Sequence, residues 1–255
     1  MRVLDLHDLS LAATAVAIVT ARAGNGRYIN TSAPLWSNAA DLAPVEGPVG
    51  DGWVSGRRCE PYIERLGVHA DVPDDVPPLA DLRREGRRPS DSTGVFTVID
   101  VGWTVRELTA SPNAWLSQMT PDLDVVVGSY TQLGLRLLET ALVELASLVP
   151  GGSKRWPTVV LLAGGPRSVH GGLLSAGPTE EPCDGRRLVR RLPLTSSWAE
   201  AAMEGRRTPA SVERLGHWIV DLATAETSTS VTPDDIGRAC AADRPSRPRP
   251  LGARR

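Results

Sequence analysis

Lysine is nearly missing from this chain: Lys154 stands alone among 28 basic residues, and arginine supplies the rest. Phenylalanine is down to Phe96, and aromatics make up only 4% of the residues although seven tryptophans are present. With plentiful alanine, glycine and proline, the arginine bias reads as the imprint of a GC-rich genome and carries no functional message. Cysteine is limited to Cys59, Cys183 and Cys240, far apart and odd in number. That argues against a disulfide framework, gives no CxxC or zinc-finger spacing, and leads us to expect free thiols in a reducing compartment. No run approaches the ~20 apolar residues that cross a bilayer. Residues 9–23 have the outline of a secretory signal, yet Asp5 and Asp8 stand where a positive leader belongs. The expectation is a cytoplasmic protein with no transmembrane segment.

What remains is an ordinary globular composition: 255 residues, 41% hydrophobic and 23% charged, with a net charge of -2. A chain of this length can bury a core without metal or disulfide staples. Near-neutrality means that a nucleic-acid or membrane role would need a local patch.

Short β-rich runs alternate with helical segments, the pattern of a parallel sheet covered by helices. Strands are expected at 2–6, 27–31, 95–101, 123–127, 158–163 and 188–192. Helices are expected at 11–23, capped by Ser10 and ended by Gly24, at 133–149, and at 209–226. Residues 60–66 read as a short helix, 34–56 as irregular Pro/Gly-rich chain, and 71–92 as a charged surface loop. The helix at 133–149 carries an apolar face of Leu137, Leu138, Ala141, Leu142, Leu145 and Leu148, with Gly134 a mild weakness near its start. The expected fold is α/β, a three-layer sandwich around a mostly parallel, doubly wound sheet. It forms one domain over 1–226, and 227–255 is an extension ending in a disordered Pro/Arg tail.

The order of these pieces resembles the MinD/ParA family of P-loop ATPases, including degenerate members from pilus-assembly and secretion loci. Ala12, Ala13 and Thr14 with the helix through Gly24 sit where that family has its Lys-Thr-Thr and first helix. Residues 27–35 resemble its second strand and D-x-D-P-L stretch, with Asn30, Ser32, Ala33, Pro34 and Leu35 keeping the shape but not the acids. Residues 95–100 resemble its third strand, whose terminal aspartate, here Asp100, holds magnesium through water. Residues 122–127 with the long helix, and then 158–166, resemble the next two units.

The departures bear on chemistry. A P-loop works because glycines let backbone N–H groups converge on phosphates while a lysine neutralises charge. The matching stretch here, residues 6–14, has neither glycine nor lysine, and it adds Leu9, Leu11 and the acid Asp8. The resemblance therefore implies a family member without ATP hydrolysis. No cofactor is expected, with ATP and magnesium bound only if the degenerate site still accepts them.

Asp100 lies near the carboxyl end of a buried strand, where α/β sheets place ligands; otherwise it is a strand-end aspartate capping the next turn. It is the candidate metal and cofactor residue, joined by Asp5, Thr14 and Arg167. Asp5 lies near the end of the first strand and could face the same crevice. Arg167 belongs to a Gly/Pro loop after a strand, residues 164–170, with the flavour of an anion site. No catalytic residue is assigned, since no nucleophile motif appears. Trp36, Trp53, Trp103, Trp115 and Trp156 fall in or beside loops, marking a partner surface or loop packing.

Three functions compete. The first is a non-catalytic MinD/ParA-like protein with protein partners in positioning, partition or secretion assembly. A homodimer is left open, because family members pair across a nucleotide that is in doubt here. The second is a small-molecule or nucleotide-binding enzyme on an unrelated doubly wound sheet. The third is a DNA-associated regulator whose arginine tail meets phosphates.

Overall fold

The computed structural model describes residues 1–6, 10–32, 47–50, 52–57, 62–66, 70–78, 96–148, 158–163, 187–192 and 196–227. The Pro/Arg tail, the loop 164–170, Trp36 and Trp156 lie outside the described residues.

Nine strands form one sheet among the described residues: β1 (Arg2–Asp5), β2 (Arg27–Asn30), β3 (Gly47–Gly50), β4 (Trp53–Arg57), β5 (Tyr62–Leu66), β6 (Thr97–Val101), β7 (Asp124–Ser129), β8 (Thr158–Ala163) and β9 (Arg187–Leu192). Their order is β3-β4-β5-β2-β6-β1-β7-β8-β9. From β5 to β9 every neighbouring pair is parallel, and β3 and β4 extend that edge as antiparallel strands. The fold is thus the expected α/β sandwich, wider at one edge. Residues 62–66, expected as helix, pair as a strand with both β2 and β4. Residues 34–56, expected to be irregular, contain β3 and part of β4. Helical spacing in a short polar segment could not compete with a sheet edge offering a full ladder of hydrogen bonds.

Six α-helices are present among the described residues: α1 (Ser10–Ala23), α2 (Val105–Ala110), α3 (Trp115–Gln118), α4 (Gln132–Ser147), α5 (Ser196–Met203) and α6 (Ala210–Thr227). The chain leaves β1 toward β2 in one direction and leaves β7 toward β8 in the other. Right-handed crossovers then put α1 and α4 on opposite faces. The two apolar clusters follow: Val3, Val98, Val125 and Val127 lie with α1, α5 and α6, while Leu4, Ile99 and Val126 lie with α2, α3 and α4. No helix among the described residues is long and apolar enough to cross a membrane.

Helix α1 is apolar on every side, and each residue from 12 to 21 is buried. An all-round apolar helix needs cover on both flanks. The sheet supplies one, and α5 and α6 supply the other. At the α1–α6 crossing, a Cβ on Gly216 would lie 2.9 Å from the Val19 carbonyl oxygen, so glycine sets how closely the helices approach. Gly24 follows the last helical residue as expected, but the left-handed position that turns the chain is Asn25, at φ 46°.

Helix α4 starts at Thr131, whose hydroxyl accepts from the Gly134 N–H at 2.9 Å. It buries Leu138, Ala141, Leu142 and Leu145 as expected, but Leu137 points outward. Gly134 is no weakness. A Cβ there would stand 2.4 Å from the Ser129 carbonyl oxygen, so only glycine lets α4 sit against the end of β7. Gly134→Ala normally strengthens a helix by up to ~1 kcal/mol. Here it is expected to cost about 1–3 kcal/mol by overpacking, read as a lower urea midpoint at unchanged m-value.

Candidate functional site

Strand alternation builds the site. In parallel register Val3 stands beside Asp100, and Asn30 beside Asp100 on its other flank. Side chains level with one another on parallel strands share a face, and so do residues two apart. Tyr28, Asn30, Val98, Asp100, Val3 and Asp5 therefore all face α1. From α1, Thr14 meets them.

The result is a buried polar cluster centred on one oxygen. Asp100 Oδ2 accepts from the Thr14 hydroxyl at 2.8 Å, the Tyr28 hydroxyl at 2.6 Å and the Asn30 amide at 3.2 Å. The Asn30 amide also donates to the Tyr28 oxygen at 2.9 Å, and Asn30 Oδ1 accepts from the Ser32 N–H at 3.0 Å. Thr14, Tyr28, Asn30 and Asp100 are all buried. Asp100 does not cap the following turn; Thr104 does that, in a capping box with Glu107 at the start of α2.

Burial pushes the Asp100 carboxyl above the usual carboxylate range, opposed by the hydrogen bonds from Tyr28, Thr14 and Asn30. The Tyr28 hydroxyl is pushed well above its ordinary value, first by burial and then by the Asp100 charge and hydrogen bond. Tyr28 is thus a neutral donor, and its contact with Asp100 is a charge-assisted bond whenever Asp100 is ionised.

Of the candidates read from the sequence, Asp100 and Thr14 come into direct contact. Asp5 lies half-buried on the same face, on the neighbouring strand and two positions nearer the carboxyl edge. Arg167 falls outside the described residues. Among the described residues, no group of three His, Cys, Asp or Glu side chains gathers as a metal-binding set. In the sequence Asn30 shows only as a lost acid, and nothing marks Tyr28. The available signal was their spacing of two on a strand adjoining the one that bears Asp100.

A second polar pair lies on the opposite face, at the amino end of the strands. Arg2 and Asp124 are in register on β1 and β7, and both side chains are 0% exposed. The guanidinium donates twice to the carboxylate, at 2.8 and 2.9 Å, and once to the Leu116 carbonyl of α3 at 3.0 Å. This planar fork fixes α3 and two central strands together. Trp53, one of the tryptophans assigned to a loop or partner surface, is likewise buried, its indole N–H directed at the carbonyls of Pro77 and Pro78.

Compared with protein-family models, curated proteins and solved structures, the chain matches none.

Proposed function

We propose that this chain is a non-catalytic α/β protein of the MinD/ParA type, working through protein contacts in positioning, partition or secretion assembly. The observation that carries the reading is the saturation of Asp100 Oδ2 by Thr14, Tyr28 and Asn30. In the resembling family, an aspartate at this strand end serves a magnesium ion beside the first helix. The adjacency of β6, β1 and α1 is what such a role requires. Here the chain's own donors occupy one of the two carboxylate oxygens, Oδ2, with three hydrogen bonds. Magnesium asks for near-octahedral oxygen ligands and keeps several waters, which a buried side-chain network does not provide. A carboxylate held this way, with no group of three His, Cys, Asp or Glu side chains gathered around it among the described residues, is a poor fit for that ion. The stretch 6–14, without glycine or lysine, supports the same reading.

Titration calorimetry of the full chain with ATP and magnesium tests this directly. The expected result is no saturable heat up to ~1 mM nucleotide, a ceiling corresponding to about −4 kcal/mol of binding. Micromolar, magnesium-dependent binding would overturn the proposal and return Asp100 to the role of a metal site.

A further inference from the structure

We propose that α4 is a self-pairing surface: two copies of this chain dock their α4 helices antiparallel, about a two-fold axis at Thr140. The large apolar side chains exposed among the described residues are Val72, Leu133, Leu137 and Val143, and the last three lie on α4. Leu133 is 68% exposed, Leu137 41% and Val143 70%, while the opposite side of the helix is buried on the sheet. Positions 133, 136, 137, 140, 143, 144 and 147 form one stripe at heptad spacing, the geometry of a helix-pairing seam.

The stripe is self-complementary in one orientation. A two-fold axis at Thr140 sets Leu137 against Val143 of the second copy, and Arg136 against its Glu144. An isologous interface demands such reciprocity, since each contact must occur twice. Within one copy Arg136 and Glu144 stand eight residues apart, about 12 Å along the helix, too far to pair with each other. Among the described residues, neither forms an ion pair elsewhere. The polar groups at the seam are already satisfied: Thr140 Oγ1 donates to the Arg136 carbonyl and Ser147 Oγ to the Glu144 carbonyl. Docking there strands no donor. A parallel pairing would instead set Arg136 against Arg136 and Glu144 against Glu144.

A 16-residue helix is about 24 Å long, so the contact belongs at the small end of specific interfaces and the dimer is concentration-dependent. The inference stands apart from the Asp100 cluster, which lies on the other face of the sheet. Nucleotide binding, if found, would leave it untouched.

Sedimentation equilibrium of the full chain between about 5 and about 300 µM tests it, a range chosen to bracket a weak dimer. The expected result is an apparent mass rising toward twice 27.2 kDa. Arg136→Glu and Glu144→Arg are each expected to weaken the dimer about tenfold or more, because each sets like charges opposite one another twice. The double charge swap is expected to restore it to within about threefold of the original. Far-ultraviolet circular dichroism should be unchanged in all three variants, since Arg136 is exposed and Glu144 is only half-buried. A monomer across the whole range would overturn the proposal, as would single reversals without effect or a double swap that fails to restore pairing.

Discussion

Asp124→Ala is expected to lower stability by about 3–5 kcal/mol, the cost of leaving a buried guanidinium without its counter-charge. In a domain of this size each kcal/mol moves the melting temperature by roughly 2–4 °C, so the fall should be on the order of 10 °C. Arg2 donates twice to Asp124 and once to the Leu116 carbonyl in a site closed to solvent, and water cannot replace the lost carboxylate without opening the sheet between β1 and β7. The informative control is Arg2→Met combined with Asp124→Leu. It removes both charges, and an apolar pair of similar volume should recover stability to within about 2 kcal/mol of the starting protein. Calorimetric melting of the three proteins decides the matter. A single variant as stable as the parent would mean that the pair contributes nothing to the fold.

The second large effect belongs to Asp100. Asp100→Ala strips the acceptor from two hydroxyls and an amide, each costing about 1–3 kcal/mol when buried and unmet. The remaining Asn30–Tyr28 bond softens the loss, and about 3–4 kcal/mol is expected. Asp100→Asn keeps an acceptor oxygen in place and removes the titration. Its value lies in the pH dependence. Because burial raises the folded-state value, the folded protein holds this proton more tightly than the unfolded chain does. Stability from this group is therefore greatest below the unfolded value of ~3.8 and declines as pH rises toward the raised folded value, beyond which it is constant. The difference between the parent and Asp100→Asn should accordingly drift against the parent as pH increases from about 4 and then level off. A difference that stays flat, or rises with pH, would contradict the burial argument.

The central parallel sheet was legible because β6, β7 and β8 are largely apolar runs rich in β-branched residues. Residues 158–163 became β8 with the expected bounds, and the other central strands agree to within one or two residues. The antiparallel edge was not legible. Gly47–Gly50 carries Pro48 between glycines, and Tyr62–Leu66 mixes charges with apolar residues, so neither announces a strand. Their conformation comes from the neighbour they pair with, and that is tertiary information. Helices α2 and α3 were missed for a related reason: at six and four residues they are too short to show a period.

The polar cluster was half legible. A strand-end acid is conspicuous in a run such as TVIDV, and Asp100 stood out on that ground. Thr14 came with it only through the position of the first helix, while Tyr28 and Asn30 did not stand out, because tyrosine and asparagine on another strand look like ordinary strand residues. What joins them is the arrangement β2-β6-β1, which places Asn30 and Asp100 in register across strands 70 residues apart in sequence. The Arg2–Asp124 pair was hidden in the same way. Two charges at the starts of apolar strands read as solvent-facing ends until β1 and β7 are known to be neighbours.

That strand order also sets a timetable for biosynthesis. The neighbours of β1 are β6 and β7, which begin at residues 97 and 124, so the first strand has nothing to pair with while more than ninety further residues are made. At about 5–20 residues per second the wait is roughly 5–20 s. Helix α1, greasy on all sides, emerges early in that interval with neither its sheet nor α5 and α6 yet available. The nascent chain thus carries an uncovered apolar helix until its distant partners are made, and its folding should be slower on account of these distant pairings.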